Sequence, residues 1–448
     1  MPSADTDPHQ LLCVDVGSTF TKATLVDVAT GAVLARAEHP TTIETDVLDG
    51  VDACRAALGD ALDPTTATFV CSSAGGGLRI AVVGNEELVT AEAGRRVALS
   101  SGGKVVAVVA AAAGEPLRLD DLAEPDVVLL TGGTDGGNAE VIVAAARALA
   151  DSGWRGPVVV AGNADAVEEV SAELDGLPVV VAANVVPQIG VLRPDGARAA
   201  IREMFLSHVI GGKDLSARDG GQAFVSLVRG ATPDVVLTGV EVLAGLVGDV
   251  VVVDVGGATT DVHSVVELDP EDGALARDVV APTAVTRTVE GDLGMRWSAA
   301  STAEAAGDPA LREPAARRTA DPAFLPDTDA DRDDDEAIAR AAAGLALRRH
   351  AGRSRVVVGP EGRVVERSGT DLREVDLVVA SGGALRHGRS GVVDRVLAGS
   401  VGVDLDGGWQ LPERPRVVLD GEYVLAAVGL LSADHPDTAR RLAATLLG

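Results

Sequence analysis

The sequence predicts an α/β protein of two similar lobes, and three observations predict it. A strand–turn–strand motif occurs twice, about half the chain apart: Val14-Asp15-Val16-Gly17-Ser18-Thr19-Phe20-Thr21-Lys22 and Val253-Asp254-Val255-Gly256-Gly257-Ala258-Thr259-Thr260-Asp261. Between the copies, short apolar runs alternate with helix-like segments, the pattern of a parallel sheet covered by helices. The chain has 448 residues, 46% of them apolar, which is more than one ordinary domain buries. We place the first lobe at 1–245 and the second at 246–448.

The elements follow in order. Leu11–Val16 reads as a strand, and Lys22–Asp27 and Val33–Ala37 follow it across short turns, so the chain opens as a β-meander. Val51–Leu62 reads as a helix. Val127–Leu130, Val158–Ala161 and Val179–Ala182 are apolar strands, with helices predicted at Ala139–Ala150 and Asp165–Leu174, and again at Ala199–Val209. Val250–Val255 and Asp261–Leu268 start a second meander. Ala305–Glu336 is rich in Asp, Pro, Arg and Ala, with a dense acidic run at Asp327–Glu336, and predicts a long acidic surface loop or mobile insertion. Ile338–His350 reads as a helix and Val375–Ser381 as a strand ending in Gly382-Gly383. Val424–Leu431 predicts an apolar helix.

Composition excludes several classes. A net charge of −29 repels phosphate backbones, and 2% aromatic residues offer no stacking platform, so no nucleic-acid partner is expected. The apolar stretches Val105–Ala113 and Val250–Val253 fall far short of the roughly 20 residues that cross a bilayer, so no membrane is expected. Met1–Gln10 lacks the basic start and apolar run of a signal peptide. Cys13, Cys54 and Cys71 have no metal-type spacing, and three cysteines without a leader predict reduced thiols in the cytoplasm. The seven histidines form no zinc pattern.

The repeat carries the functional reading. Glycines at Gly17, Gly256 and Gly257 let the backbone turn tightly and approach a phosphate. Successive N–H groups in such a turn form an anion-binding concavity, in which Ala258 takes part through its backbone. Ser18, Thr19, Thr259 and Thr260 add hydroxyl donors. A carboxylate beside a phosphate repels it unless a cation intervenes, so Asp15 and Asp254 imply Mg²⁺, held in part through water. Lys22 is placed to neutralise a terminal phosphate. No Gly-x-x-x-x-Gly-Lys-Ser/Thr loop and no Gly-x-Gly-x-x-Gly fingerprint is present, which disfavours P-loop and Rossmann readings.

Four further segments support it. Val378–Gly383 reads as a strand whose Ser381-Gly382-Gly383 end either admits a flat base or ribose or is an ordinary β-turn. Thr238-Gly239-Val240-Glu241 opens a small-residue helix, and Glu241 is either a metal- or water-orienting carboxylate or an ordinary first-turn glutamate. Thr131–Asn138 lies between a strand and a helix, which suits an anion site, although Asn138 equally reads as a helix cap. Glu290–Gly294 is either another glycine–acid loop of this kind or a surface turn, and the surface turn is the reading preferred. Candidate catalytic residues are therefore Asp15, Asp254 and Glu241.

The paired phosphate motifs, with Ser381-Gly382-Gly383 as an adenosine-type motif, resemble the superfamily of acetate and sugar kinases, Hsp70 and actin, whose fold is ribonuclease H-like with a central nucleotide cleft. A more specific resemblance covers nearly the whole chain. The segments C-V-D-V-G-S-T-F-T-K (13–22), C-S-S-A-G-G-G-L-R (71–79), L-T-G-G-T-D-G-G-N (130–138), N-V-V-P-Q-I-G (184–190), V-D-V-G-G-A-T-T-D-V-H-S (253–264) and T-V-E-G-D-L-G-M-R (288–296) resemble the glutamate mutase accessory family called MutL or GlmL. That family shares only a name with the DNA mismatch-repair protein. The resemblance implies binding of ATP or ADP with Mg²⁺, subunits of an adenosylcobalamin-dependent mutase as partners, and exchange of inactivated cobalamin as the role. The residues it carries over are Asp15, Gly17, Ser18, Thr19, Asp254, Gly256, Gly257, Thr259, Thr260, Gly382 and Gly383. Ala258 departs from the Gly or Ser of many relatives, which keeps the backbone cradle but removes a hydroxyl.

Two alternatives stay open. A small-molecule kinase of the same superfamily needs a base near its acceptor hydroxyl, and Asp292 or Asp135 would serve. A binding scaffold that has lost hydrolysis is the other.

Overall fold

The computed structural model describes residues 8–74, 78–84, 90–110, 117–210, 215–267, 283–359, 362–404 and 407–448. Gly75–Gly77 of the 71–79 segment, Ala111–Ala113 and Leu268 lie outside the described residues. Two compact units emerge. One holds Met1–Val242 and Val424–Thr445, and the other holds Leu243–Asp278, Pro282–Tyr423 and Leu446–Gly448.

In the first unit β1 (Gln10–Val16), β2 (Phe20–Asp27) and β3 (Val33–Pro40) form the expected antiparallel meander. α1 (Val47–Leu58) follows, and Asp46 caps it by accepting from the Leu48 amide at 2.8 Å. β4 (Ala67–Ser72) pairs parallel with β1. An inserted sheet then precedes β10 (Val228–Ala231), which pairs parallel with β4. The order is β3-β2-β1-β4-β10. β1 is nearly continuous apolar sequence because a central strand is covered on both faces. β3 alternates half-buried with exposed residues because it is an edge.

The inserted sheet is all parallel: β5 (Arg79–Gly84), β6 (Lys104–Ala110), β7 (Val127–Leu130), β8 (Val158–Val160) and β9 (Val179–Val181), in the order β6-β5-β7-β8-β9. Parallel strands need long crossovers. α2 (Thr90–Ser100), α3 (Glu140–Asp151) and α4 (Val167–Glu173) supply three of them, and α5 (Asp195–Met204) follows β9. α6 (Thr232–Val247) starts directly after β10, and the division between the units falls within it.

The second unit repeats the first sheet. β11 (Val250–Val255), β12 (Thr260–Val265) and β13 (Val285–Glu290) are an antiparallel meander. β14 (Arg353–Gly359) and β15 (Gly362–Ser368) make a separate hairpin. β16 (Leu377–Ser381) pairs parallel with β11, and β17 (Arg416–Leu419) with β16, giving the order β13-β12-β11-β16-β17. Order and polarity match the first sheet strand for strand. The α/β fold class in two similar halves is thus the one observed.

Ala305–Glu336 corrects the expectation of a long acidic loop. It is mostly helix: the end of α7 (Ala299–Ala306), α8 (Arg312–Ala320) and the start of α9 (Asp329–His350). Thr328 caps α9 by accepting from the Asp331 amide at 3.1 Å, and acids in the first turn suit the positive helix end. Arginines take up the rest. Asp335 receives Arg318 Nε at 2.7 Å and Arg296 Nη2 at 2.9 Å, and Glu336 receives Arg395 Nε at 2.6 Å. Arg318 is fully buried. These partners come from distant positions, which a count of local acids misses.

After α10 (Val392–Leu397) and β17 the chain returns to the first unit as α11 (Val424–Leu431) and α12 (Pro436–Ala444). The division at 245/246 read from the sequence had assigned this segment to the second lobe. Glycines bring α11 and α6 into backbone contact. A Cβ on Gly429 would stand 1.9 Å from the Val235 oxygen, and one on Gly239 2.2 Å from the Leu425 oxygen. Thr438 Oγ1 donates to the Val28 carbonyl of the first meander at 2.9 Å. Among the described residues no helix is long and apolar enough to cross a membrane.

Candidate functional site

The two sequence motifs fold into the same turn. Gly17 N–H donates to the Phe20 carbonyl at 3.0 Å, and Gly256 N–H to the Thr259 carbonyl at 2.9 Å. A Cβ would stand 2.7 Å from the Phe20 oxygen in one loop and 2.9 Å from the Thr259 oxygen in the other, so both turns require glycine. The loop carbonyls are occupied from behind. Thr41 Oγ1 donates to Gly17 O at 2.8 Å and Thr41 N to Thr19 O at 2.9 Å. Met295 N donates to Gly256 O at 3.0 Å, Arg296 N to Gly257 O at 2.8 Å, and Ser298 Oγ to Ala258 O at 2.6 Å. Among the described residues no partner takes the amides of Ser18, Thr19, Gly257 or Ala258. Ser18, Thr19 and Ala258 are exposed. Such a turn offers donors to an anion.

Asp15 stands next to last in β1, in register with Lys22 on β2 and Cys71 on β4. Lys22 in turn lies opposite Glu38 on β3. Thr232 Oγ1, in the first residue of α6, donates to Asp15 Oδ1 at 2.6 Å. The Cys71 Sγ lies 3.7 Å from the same oxygen. Burial, together with the Asp15 charge, pushes the Cys71 thiol well above its ordinary value, so it stays protonated and donates.

Asp254 stands next to last in β11, in register with Asp261 on β12 and Ser381 on β16. Asp261 therefore stands where the first sheet has Lys22. Arg287, which is buried, compensates it: Nη2 donates to Asp261 Oδ1 at 2.6 Å. Thr259 Oγ1 donates to Asp261 Oδ2 at 3.0 Å, which fixes the second loop's hydroxyl. Thr260 is fully buried, so its hydroxyl does not join Thr259 at the loop surface.

Ser381-Gly382-Gly383 lies against the end of β11. Gly382 has φ +113, and a Cβ there would meet the Val255 oxygen at 2.3 Å. Ser381 and Gly382 are buried, whereas Gly383 is exposed and opens a short helical turn, Gly383–Arg386. The Arg386 guanidinium lies 4.9 Å over the ring of Tyr423, the chain's single tyrosine, whose φ is +53. The exposed Trp297 ring lies against Gly257: a Cβ there would stand 3.0 Å from Cζ3.

Other expected positions fall elsewhere. Glu241 is in the middle of α6, not at its start, and its Oε1 accepts from Arg198 Nη1 at 2.9 Å. Asn138 Oδ1 accepts from the Glu140 amide at 2.8 Å at the start of α3. Asp135 Oδ1 accepts from the Ala164 amide at 3.0 Å and Asn184 Nδ2 at 2.9 Å. Asp292 is held by Arg349 through two bonds of 2.7 and 2.8 Å, which keeps its carboxyl below the usual range and weakens it as a base. Thr232 and Arg287 were not named from sequence, and Cys71 and Asp261 were named only as a reduced thiol and as the end of the second motif. Asp261 was legible by aligning the repeats to their last position. Thr232 was not, because it stands 217 residues from Asp15.

Each motif by itself offers hard oxygen atoms, a carboxylate near the end of a strand with hydroxyls in the following turn. Such a set fits Mg²⁺ better than a softer ion. Among the described residues no three or more His, Cys, Asp or Glu gather into a metal cluster. A Mg²⁺ at Asp15 or Asp254 would draw its other ligands from water and phosphate.

The model of the MutL protein family matches residues 11–447. Protein MutL of Clostridium tetanomorphum is 36% identical over 459 residues, covering 96% of this chain and 97% of that protein. Among solved structures, a nucleotide-free acetone carboxylase is 14% identical, covering 95% of this chain and 70% of that chain, with a TM-score of 0.41. A glycerol dehydratase reactivase is 12% identical, covering 95% and 100%, with a TM-score of 0.35. The coverage of the family model and the identity to its curated relative establish that this chain belongs to the MutL protein family.

Proposed function

We propose that the chain binds a magnesium–nucleotide complex and serves, as an ATP-dependent accessory protein, an adenosylcobalamin-dependent mutase. One observation carries the nucleotide part: the same glycine turn, after the same strand of the same sheet, occurs once in each unit, each beside an Asp. Within each unit the loop amides are the donors for phosphate oxygens and the adjacent Asp, Asp15 in the first and Asp254 in the second, is the carboxylate for Mg²⁺, directly or through water, with Lys22 the candidate for a terminal phosphate. The Ser381-Gly382-Gly383 turn takes the nucleoside. The partner follows from family membership together with the motifs described at the outset. ATP and ADP act on that partner only through a difference in affinity, and a coupling of about 1–3 kcal/mol changes it roughly 5–150-fold.

The first test is binding. At about 100 times Kd, Mg-ATP or Mg-ADP adds roughly 2.7 kcal/mol, or about 5–10 °C in Tm. Asp15→Asn and Asp254→Asn remain folded and lose most of the shift. No shift at millimolar nucleotide refutes the reading. The partner test starts from a cognate mutase inactivated with a cobalamin lacking its adenosyl group. Reactivation by this protein requires ATP, Mg²⁺ and fresh adenosylcobalamin, and fails with Asp254→Asn. Phosphorylation of a small molecule, with no effect on any mutase, moves the assignment to a kinase.

A further inference from the structure

We propose that Thr232 and Cys71 are positioning residues for Asp15, fixing one carboxylate oxygen so that the other is presented to a nucleotide-bound Mg²⁺. The inference rests on the nucleotide-binding reading above and names what sets the geometry of its first loop.

Three elements converge on one atom. Asp15 is the next-to-last residue of β1, and Oδ1 accepts from Thr232 Oγ1 at 2.6 Å and faces the Cys71 thiol at 3.7 Å. Thr232 is the first residue of α6, and Cys71 is in register with Asp15 on β4. Both donors are neutral, so they orient the carboxylate without cancelling its charge. An arginine or lysine in either place would compete with a cation for it. The thiol is fully buried, and the Asp15 oxygen is the acceptor it reaches. The repeat is built differently. Asp254 has Ser381 on the corresponding parallel strand and Asp261 opposite it, and the nearby cation, Arg287, binds Asp261. The two Asp residues therefore have different neighbours on the flanking strands.

α6 also ties Asp15 to the inserted sheet. Asp234, near the start of α6 and buried, accepts from Arg202 Nε of α5 at 2.5 Å, and Glu241 accepts from Arg198 of the same helix. The α5 contacts fix α6, and α6 fixes Thr232.

The test compares wild type, Thr232→Val, Thr232→Ser and Cys71→Ser by titrating ADP with Mg²⁺ and ADP with EDTA, alongside thermal melting. Thr232→Val keeps the shape and removes the donor. Loss of a hydrogen bond to a charged group predicts about 10–100-fold weaker Mg-ADP binding, with metal-free ADP affinity unchanged. Thr232→Ser and Cys71→Ser, which keep donors, bind Mg-ADP within about 3-fold of wild type, the scatter expected of conservative changes. Wild-type Mg-ADP affinity in Thr232→Val overturns the positioning role while leaving nucleotide binding intact. Equal loss with and without Mg²⁺, or loss in Thr232→Ser as well, also overturns it, by assigning these residues to loop structure. A wild-type protein that binds neither form removes the nucleotide reading, and this inference with it.

Discussion

Gly382 shows how one atom fixes the turn after β16. Its φ is +113, and a Cβ placed there would stand 2.3 Å from the Val255 oxygen, which leaves room only for hydrogen. Gly382→Ala costs about 1–3 kcal/mol for this near glycine-only backbone conformation (φ +113, ψ +155) and displaces the end of β11 as well. A Tm drop and weaker nucleotide binding are expected together. Gly291→Ala, with nothing within 4 Å, is the control and stays within about 0.5 kcal/mol of wild type. Histidines give a second prediction. Burial, with the Arg287 charge adding to it, lowers His263 to about 3, and burial lowers His350 to about 4. Both are neutral in the fold, whereas unfolded histidines ionise near pH 6.5. Between pH 6.5 and those folded values the unfolded chain binds more protons. Stability is therefore complete above about pH 6.5 and falls with decreasing pH, by about 1.4 kcal/mol per unit for each histidine. Denaturant unfolding at pH 7.0 and 5.5 measures the slope, and His350→Gln removes about one proton from it. At this scale the loop glycines and the two Asp residues were legible, because a repeated motif announces them. Thr232 and Arg287 were not, because their roles arise from pairings across strands and helices.

At the scale of elements, the strands were legible wherever burial on both faces makes a continuous apolar run, as in β7 and β11. The start of α9 was not. Its carboxylates read as a solvated loop until Arg296, Arg318, Arg389 and Arg395 fold against them. That arrangement sets the cost of each acid. Asp335→Asn leaves the fully buried Arg318 without its closest carboxylate and costs about 3–5 kcal/mol. Asp329, exposed in the first turn, has the helix end and an exposed pair with Arg332 at 3.2 Å, so Asp329→Asn costs about 0.3–1 kcal/mol. Chemical denaturation of the two variants separates the cases. Similar small losses in both would mean that the acidic run is solvated as the composition suggested.

For the whole molecule, the duplicated sheet was legible from the repeat, but the return of the chain's end to the first unit was not. That return depends on Gly239 and Gly429, which are far apart in sequence and carry no local signature of a helix crossing. It has a consequence for where stability resides. α11 buries Val424, Leu425, Val428, Leu430 and Leu431, each almost completely. At about 1.5–3 kcal/mol per side chain, their loss approaches the roughly 5–15 kcal/mol that stabilises a typical protein. Truncation after Tyr423 also bares the glycine-lined face of α6 and removes the Thr438 bond to Val28. The expected result is loss of hydrogen-exchange protection in β1, β4 and α6, all far upstream of the cut, while β11 and β16, nearer to it in sequence, remain protected. Loss concentrated in β16 and β17 would place α11 and α12 energetically with the second unit. Equal loss in both sheets would show that the units unfold as one cooperative structure, so that the C-terminal helices stabilise the whole chain and not the first unit alone.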